Sequence, residues 1–167
     1  MQNSELKFIV DLNAGKMARW LRMAGFDADL FTGADDDAIV AAALTGNRIL
    51  LTRDRRIMKH RAIVGGHIQA ILIEDDHIKG QVLQILDMLK LDKSRFRPFT
   101  RCLECNRQLT KREKETIRHL VPPYVYQTQN RFAECPGCCC IYWPGTHWEG
   151  MSRKIDEIPD LEPDKPR

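Results

Sequence analysis

The stretch KFIVDLNAGKMARWLRMAGFDADLFTGADDDAIVAAALTGNRILLTRD, residues 7–54, decides the fold of this chain. It opens on a short apolar run, Lys7 to Asp11, which reads as a buried strand ending in an acid. Met17, Trp20, Leu21 and Ala24 then recur at i, i+3, i+4 and i+7, the period of an amphipathic helix, and Gly25 stops it. Residues 27–31 form a second, shorter strand. Asp36 opens another helix, carried by Ile39, Val40 and Ala43 and ended by Gly46. Residues 48–52 give a third strand. Working outward, a basic helix is expected from residue 54 to about residue 60, and a fourth strand over residues 67–73. A longer helix is marked by Ile78, Val82, Ile85, Leu86 and Leu89. Strands alternating with helices predict an α/β domain with a parallel sheet and helices on both faces.

This pattern stops near Leu91, and a different one begins. Cys102-x-x-Cys105 and Cys135-x-x-Cys138 can each hold two thiolates on one tight turn. Two such turns brought together make a tetrahedral four-sulfur site, the geometry of structural zinc. The gap between the pairs is long for a ribbon, and Thr110-x-x-Glu113 reads as a capping signature for a helical insert within it. The expected organisation is a sheet domain over residues 1–95, a zinc ribbon with a helical insert over 96–150, and a disordered tail over 151–167. Prolines 159, 163 and 166 among charges argue for the last.

The chain has 167 residues, 43% hydrophobic and 29% charged, which suits a soluble globular protein. It has no apolar run long enough to span a membrane, and its first residues lack the order of a signal peptide. A reducing, cytoplasmic setting is expected, in which six cysteines read as metal ligands or free thiols. The formal charge of +3 is unevenly placed. Residues 92–151 carry 10 Lys/Arg against 6 Asp/Glu, whereas residues 1–91 are balanced at 12 each. The cysteine module is therefore the part suited to a polyanion, although a solvated basic face has the same composition.

Asp11 ends the first strand and Asp54 lies just beyond the third. In a parallel sheet these ends share the edge where open α/β folds place their sites. Asp36 begins a helix facing that edge, and Asp75 and Asp76 follow the fourth strand. Gathered carboxylates repel one another unless a cation sits among them, and Mg²⁺ or Mn²⁺ takes oxygen ligands while keeping waters. Metal-assisted phosphodiester hydrolysis is the natural reaction class. Asp36 and Asp54 also read as helix caps, and Asp75 and Asp76 as turn acids. Arg53, Arg55, Arg56, Lys59 and Arg61 surround Asp54 and suit a phosphate backbone or a solvated face equally. Lys16, Arg19 and Arg22 would extend a basic rim beside Asp11.

The segments VDLNAGKMARWLRMAGFDADL, DDAIVAAALTGNRILLTRD and PFTRCLECNRQL, together with VPPYVY and FAECPGCCCIYWPGTHW, resemble the Mut-seven C-terminal RNase family across residues 7–150. That resemblance implies a PIN-like nuclease domain followed by a zinc ribbon. It implies that Asp11, Asp36 and Asp54 bind Mg²⁺ or Mn²⁺, with Arg53 beside the phosphate and Asp75 or Asp76 as a fourth acid, Asp76 preferred. It also implies that Cys102, Cys105, Cys135 and Cys138 bind zinc. The chain departs from the family after Cys138, where Cys139 stands at a position that looks like glycine and Cys140 follows. Glycine there would permit positive φ at no steric cost. The extra thiols leave the fourth ligand open, and His147 is a further candidate.

The expected function is metal-dependent hydrolysis of RNA, with the ribbon assisting RNA binding. Ribbon aromatics such as Tyr124, Trp143 and Trp148 suit either stacking on bases or core packing. The alternative is an RNA-binding adaptor with a silent nuclease fold, which would need no metal at the acids.

Overall fold

A computed structural model describes residues 5–159. Four parallel strands, β1 (Lys7–Asp11), β2 (Asp27–Phe31), β3 (Ile49–Thr52) and β4 (Ala70–Leu72), form one sheet in the order β2-β1-β3-β4. Helices α1 (Gly15–Met23), α2 (Asp36–Gly46), α3 (Arg61–Val64) and α4 (Ile78–Leu89) connect and cover them. The centres of β1 and β3 are apolar because both faces are buried, whereas the edge strand β2 carries Asp27 and Asp29. Phe8 and Val10 point into one core with α1, α4, Leu51 and Ile71. Ile9 and Leu50, one residue out of phase, point into the other with Ile39, Val40 and Ala43 of α2. Phe8, Leu50 and Leu51 are fully buried, and each such side chain contributes about 1.5–3 kcal/mol relative to exposure.

The structure shortens two expected elements. The fourth strand pairs only over Leu50–Thr52 against Ala70–Leu72. Its ladder is extended by single hydrogen bonds, Leu50 N–H to Gln69 O and Ile73 N–H to Thr52 O. The basic helix after Asp54 is instead a turn followed by a 3-10 turn (Ile57–Lys59) and the short α3. The Asp54 carboxylate accepts the Arg56 N–H at 2.7 Å, and this local bond competes with a regular helix.

The cysteine module carries a three-stranded antiparallel sheet, β5 (Thr110–Arg112), β6 (Phe132–Glu134) and β7 (Ile141–Tyr142). Thr110 is therefore no helix cap, since it pairs with Glu134 across β5 and β6. The helical insert follows it, as a 3-10 turn (Lys114–Ile117) and α5 (Pro123–Thr128). Ile117, Val121, Val125 and Phe132 give the module its own small core, with Tyr126 and Trp143 packed against it.

The expected disordered tail is also corrected. Helix α6 (Thr146–Asp156) crosses residue 152, and the 155/158 spacing buries Ile155 and Ile158 in the main core with Leu103. Residues 160–167 lie outside the described residues.

The two sheets are joined closely. Gly25, at φ 94, lets the connecting segment return over α1: Arg97 N–H donates to Ala24 O at 2.8 Å, and a Cβ on Gly25 would stand 2.2 Å from Arg97 O. Phe96 then seats edge-on against both Trp20 and Phe26.

Candidate active site and metal centre

The C-terminal edge of the sheet carries the acids. Asp11 is the last residue of β1, and Asp54 follows β3, its neighbour in the sheet. Asp36 is the first residue of α2, but it does not cap it. Asp35 does, accepting the Asp37 N–H at 2.9 Å, which leaves the Asp36 carboxylate free for the crevice. Asp11, Asp36 and Asp54 line one cavity of about 160 Å³ together with Asn13.

Thr52, fully buried, organises two of these acids. Its hydroxyl donates to Asp11 Oδ2 at 2.7 Å and accepts the Asp54 N–H at 3.0 Å. Sequence reasoning missed this residue because a threonine closing a strand is ordinary β composition. Asn13 was missed as well. Its side-chain oxygen accepts the Arg53 N–H at 3.2 Å, tying the turn after β1 to the turn after β3.

Arg56 chelates Asp54. Its Nη2 stands 2.8 Å from Asp54 Oδ2, with Nε within 3.3 Å of both carboxylate oxygens. These bonds, with the Arg56 N–H, hold the Asp54 carboxyl below the usual carboxylate range. Arg53 and Asp76 lie next door. They form a close ion pair on the wall of an adjoining cavity of about 540 Å³, which contains neither Asp11, Asp36 nor Asp54. Asp75 turns inward on its own loop and accepts the His77 N–H at 2.7 Å.

Arg22 does not belong to a basic rim. It is buried, donating to Ala28 O, Leu103 O and Glu104 O at 2.8–2.9 Å, and so it ties α1 to the first cysteine turn. Lys16 and Arg19 remain exposed.

The second centre is sulfur. The ligand atoms of Cys102, Cys105, Cys135 and Cys138 all lie within 4.8 Å of one another, so these four residues are positioned to hold a metal ion. Among the described residues no trio of crevice acids meets that spacing. The two cysteine turns match. Asn106 N–H returns to Cys102 O at 3.1 Å, and Cys139 N–H to Cys135 O at 2.9 Å. The residue after each pair has positive φ, 67 for Asn106 and 60 for Cys139. Cys139 thus adopts the conformation that glycine would take without strain. Burial opposes ionisation of Cys135, but N–H groups of Cys138 and Gly137 and the Cys105 thiol outweigh it and bring the thiol down to about 6. The Tyr142 hydroxyl stands 3.1 Å from Cys102 Sγ and accepts the Leu103 N–H at 3.1 Å, bracing the site from β7. His147 lies instead in α6 and is exposed.

The first cysteine turn is docked on the edge of the parallel sheet. Asn106 accepts the Ala28 N–H of β2 at 3.0 Å and donates to Asp27 and Asp29 at 2.8 and 2.7 Å. Arg48 closes the cluster, reaching Asp27 at 2.6 Å and Asp29 at 2.8 Å.

A parallel α/β sheet with acids at its C-terminal edge is thus braced against a four-cysteine ribbon. The family described as Mut7-C RNAse domain matches residues 6–155, and the chain belongs to that family. No curated protein and no solved structure matches it. No helix among the described residues is long and apolar enough to cross a membrane.

Proposed function

We propose that the protein is a metal-dependent ribonuclease, in which residues 1–95 cut RNA and the cysteine module, residues 96–150, holds it. The observation that carries this is the meeting of Asp11, Asp36 and Asp54 on one cavity at the C-terminal edge of β1 and β3. The donor chemistry fits a hard cation: all are oxygens, and Mg²⁺ or Mn²⁺ keeps several waters and needs only one or two carboxylates, so the three acids need not close to the spacing of the cysteine cluster. Bound there, such a cation supplies Lewis-acid polarisation of the phosphodiester.

The chain's own residues do the rest. Thr52 and Asn13 fix the strand-end turns, so that the carboxylates are oriented before substrate arrives. Arg56 lines the crevice but is engaged by Asp54, and Arg53, on the adjoining wall, can offer a phosphate contact once its exposed partner Asp76 yields. The four cysteines suit structural zinc, closed and without an open position for catalysis. Cysteines used as a metal-ligand cluster suit a reducing, cytoplasmic compartment.

The test is incubation of purified protein with mixed RNAs, with and without Mn²⁺, beside an Asp11→Asn control. Cleavage that needs the metal and is lost in the variant supports the reading. Cleavage untouched by either change overturns it. Tight RNA binding with no cleavage under any metal would favour an adaptor carrying a silent nuclease fold.

A further inference from the structure

The acid crevice does not end at the acids. It shares Asn13 with the cavity that holds Arg53, and that cavity shares Lys16 and Ile78 with a third of about 280 Å³. The third shares Arg19, His147 and Met151 with a fourth of about 350 Å³, walled by Tyr124, Trp143 and Trp148 of the cysteine module. Four cavities thus lie end to end, from the carboxylates, along the exposed face of α1 and past α6, to an aromatic pocket on the ribbon.

The walls change in chemistry along this line. The middle is cationic. Lys16 and Lys154 are exposed and form no ion pair among the described residues. Arg19 pairs with Glu104, but both side chains are half exposed or more, and such pairs are worth little against a phosphate. Lys16 and Arg19 stand three residues apart on α1 and so share its outer face. The far end is aromatic, and Tyr124 is 67% exposed there without a core role. Acids, then cations, then an open tyrosine ring backed by half-buried tryptophans is the order that suits a scissile phosphate, a backbone and an unstacked base.

We infer that this groove is the track of a single-stranded RNA segment flanking the cut on one side, with its backbone over Lys16 and Lys154 and a base in the Tyr124 pocket. The inference rests on the ribonuclease reading and deepens it: the substrate must offer an unpaired flank long enough to reach the ribbon. A duplex is excluded from the far pocket because its bases are already stacked. The 450 Å³ cavity beside Phe99 and Arg131 shares no lining residue with this line.

The experiment measures affinity by fluorescence anisotropy in the Asp11→Asn background, with the RNA confirmed intact by gel. Single-stranded 12-mers, single-stranded 4-mers and a 12-base-pair duplex are compared. Lys16→Gln with Lys154→Gln is expected to weaken the single-stranded 12-mer about tenfold and reduce its salt slope by about 1.4. Tyr124→Ala is expected to weaken the same oligomer at least fivefold. The 4-mer and the duplex should lose far less. Equal losses on all three substrates, or an unchanged 12-mer affinity and salt slope, overturn the track. A 12-mer carrying 4-thiouridine at either end gives an independent check. One end should crosslink to the peptide containing Tyr124, and crosslinks elsewhere from both ends also overturn it. Loss of cleavage in Asp11→Asn tests the ribonuclease reading separately, so that either idea can fail alone.

Discussion

Thr52 and Asp11 are joined across the two central strands by a hydrogen bond of 2.7 Å, and the same hydroxyl accepts the Asp54 N–H. One buried oxygen therefore fixes two acids that lie 43 positions apart in the chain.

Thr52→Val keeps the shape and removes that oxygen. The Asp54 N–H loses its acceptor and Asp11 its orientation, each worth about 1 kcal/mol or more. Cleavage is expected to fall about tenfold or further through kcat, with KM little changed. Steady-state kinetics beside thermal melts check it: a KM effect alone would show that the hydroxyl does not position the acids.

Asn substituted singly for Asp11, Asp36 or Asp54 preserves size and removes a charge. Each change is expected to lower cleavage by orders of magnitude. The metal-free fold should be as stable as before, or more so, because carboxylate repulsion is relieved. Activity assays across Mg²⁺, Mn²⁺ and Ca²⁺ with matched melts decide. Ca²⁺ should permit binding but support cutting poorly, since its coordination is looser.

Arg56 holds the Asp54 carboxyl below its ordinary value. A carboxyl depressed in the folded state adds stability above its unfolded pKa and loses it as pH falls through the folded one. Arg56→Ala removes the side-chain part of that depression and leaves the backbone N–H bond, so the Asp54 titration midpoint should rise toward the ordinary carboxylate range. Carboxyl NMR of metal-free protein reads the midpoint directly. A midpoint unchanged by the substitution would mean that the exposed pair is screened away.

About one zinc per chain is expected to copurify, and Cys105→Ser should release it. Because Leu103, Ile155 and Ile158 lie in the main core, zinc loss should lower one shared melting transition rather than remove a separate one. Cys139→Gly should keep the zinc and stabilise the fold by about 1 kcal/mol, since φ 60 then carries no Cβ penalty. Elemental analysis and calorimetry test both statements, and zinc lost with Cys139 would mean a different ligand set.

The sheet, its helices and the acid-bearing strand ends were legible because they follow from period and polarity. Asp11 ends an apolar run, and such a pattern survives any tertiary context. What stayed hidden were residues whose partners are remote. Arg22 sits beside the buried stripe of α1 and reads as solvent-facing until the carbonyls of residues 103 and 104 come to meet it. Asp36 reads as the cap of α2, and only the Asp37 N–H shows that Asp35 takes that role. Ile155 and Ile158 carried a helical spacing that the surrounding prolines and charges obscured. Asp76 landed on the correct edge, yet its pairing with Arg53 draws it to the neighbouring cavity.

Asn106 supplies to β2 the hydrogen bond that a fifth strand would otherwise provide. A parallel sheet with an open flank invites pairing with a second chain. Loss of order at the first cysteine turn would unmask that flank as well as loosen the ribbon. Metal starvation would then show itself first as clumping of the protein, before any loss of helical structure, which makes solubility the early indicator of an empty thiolate site.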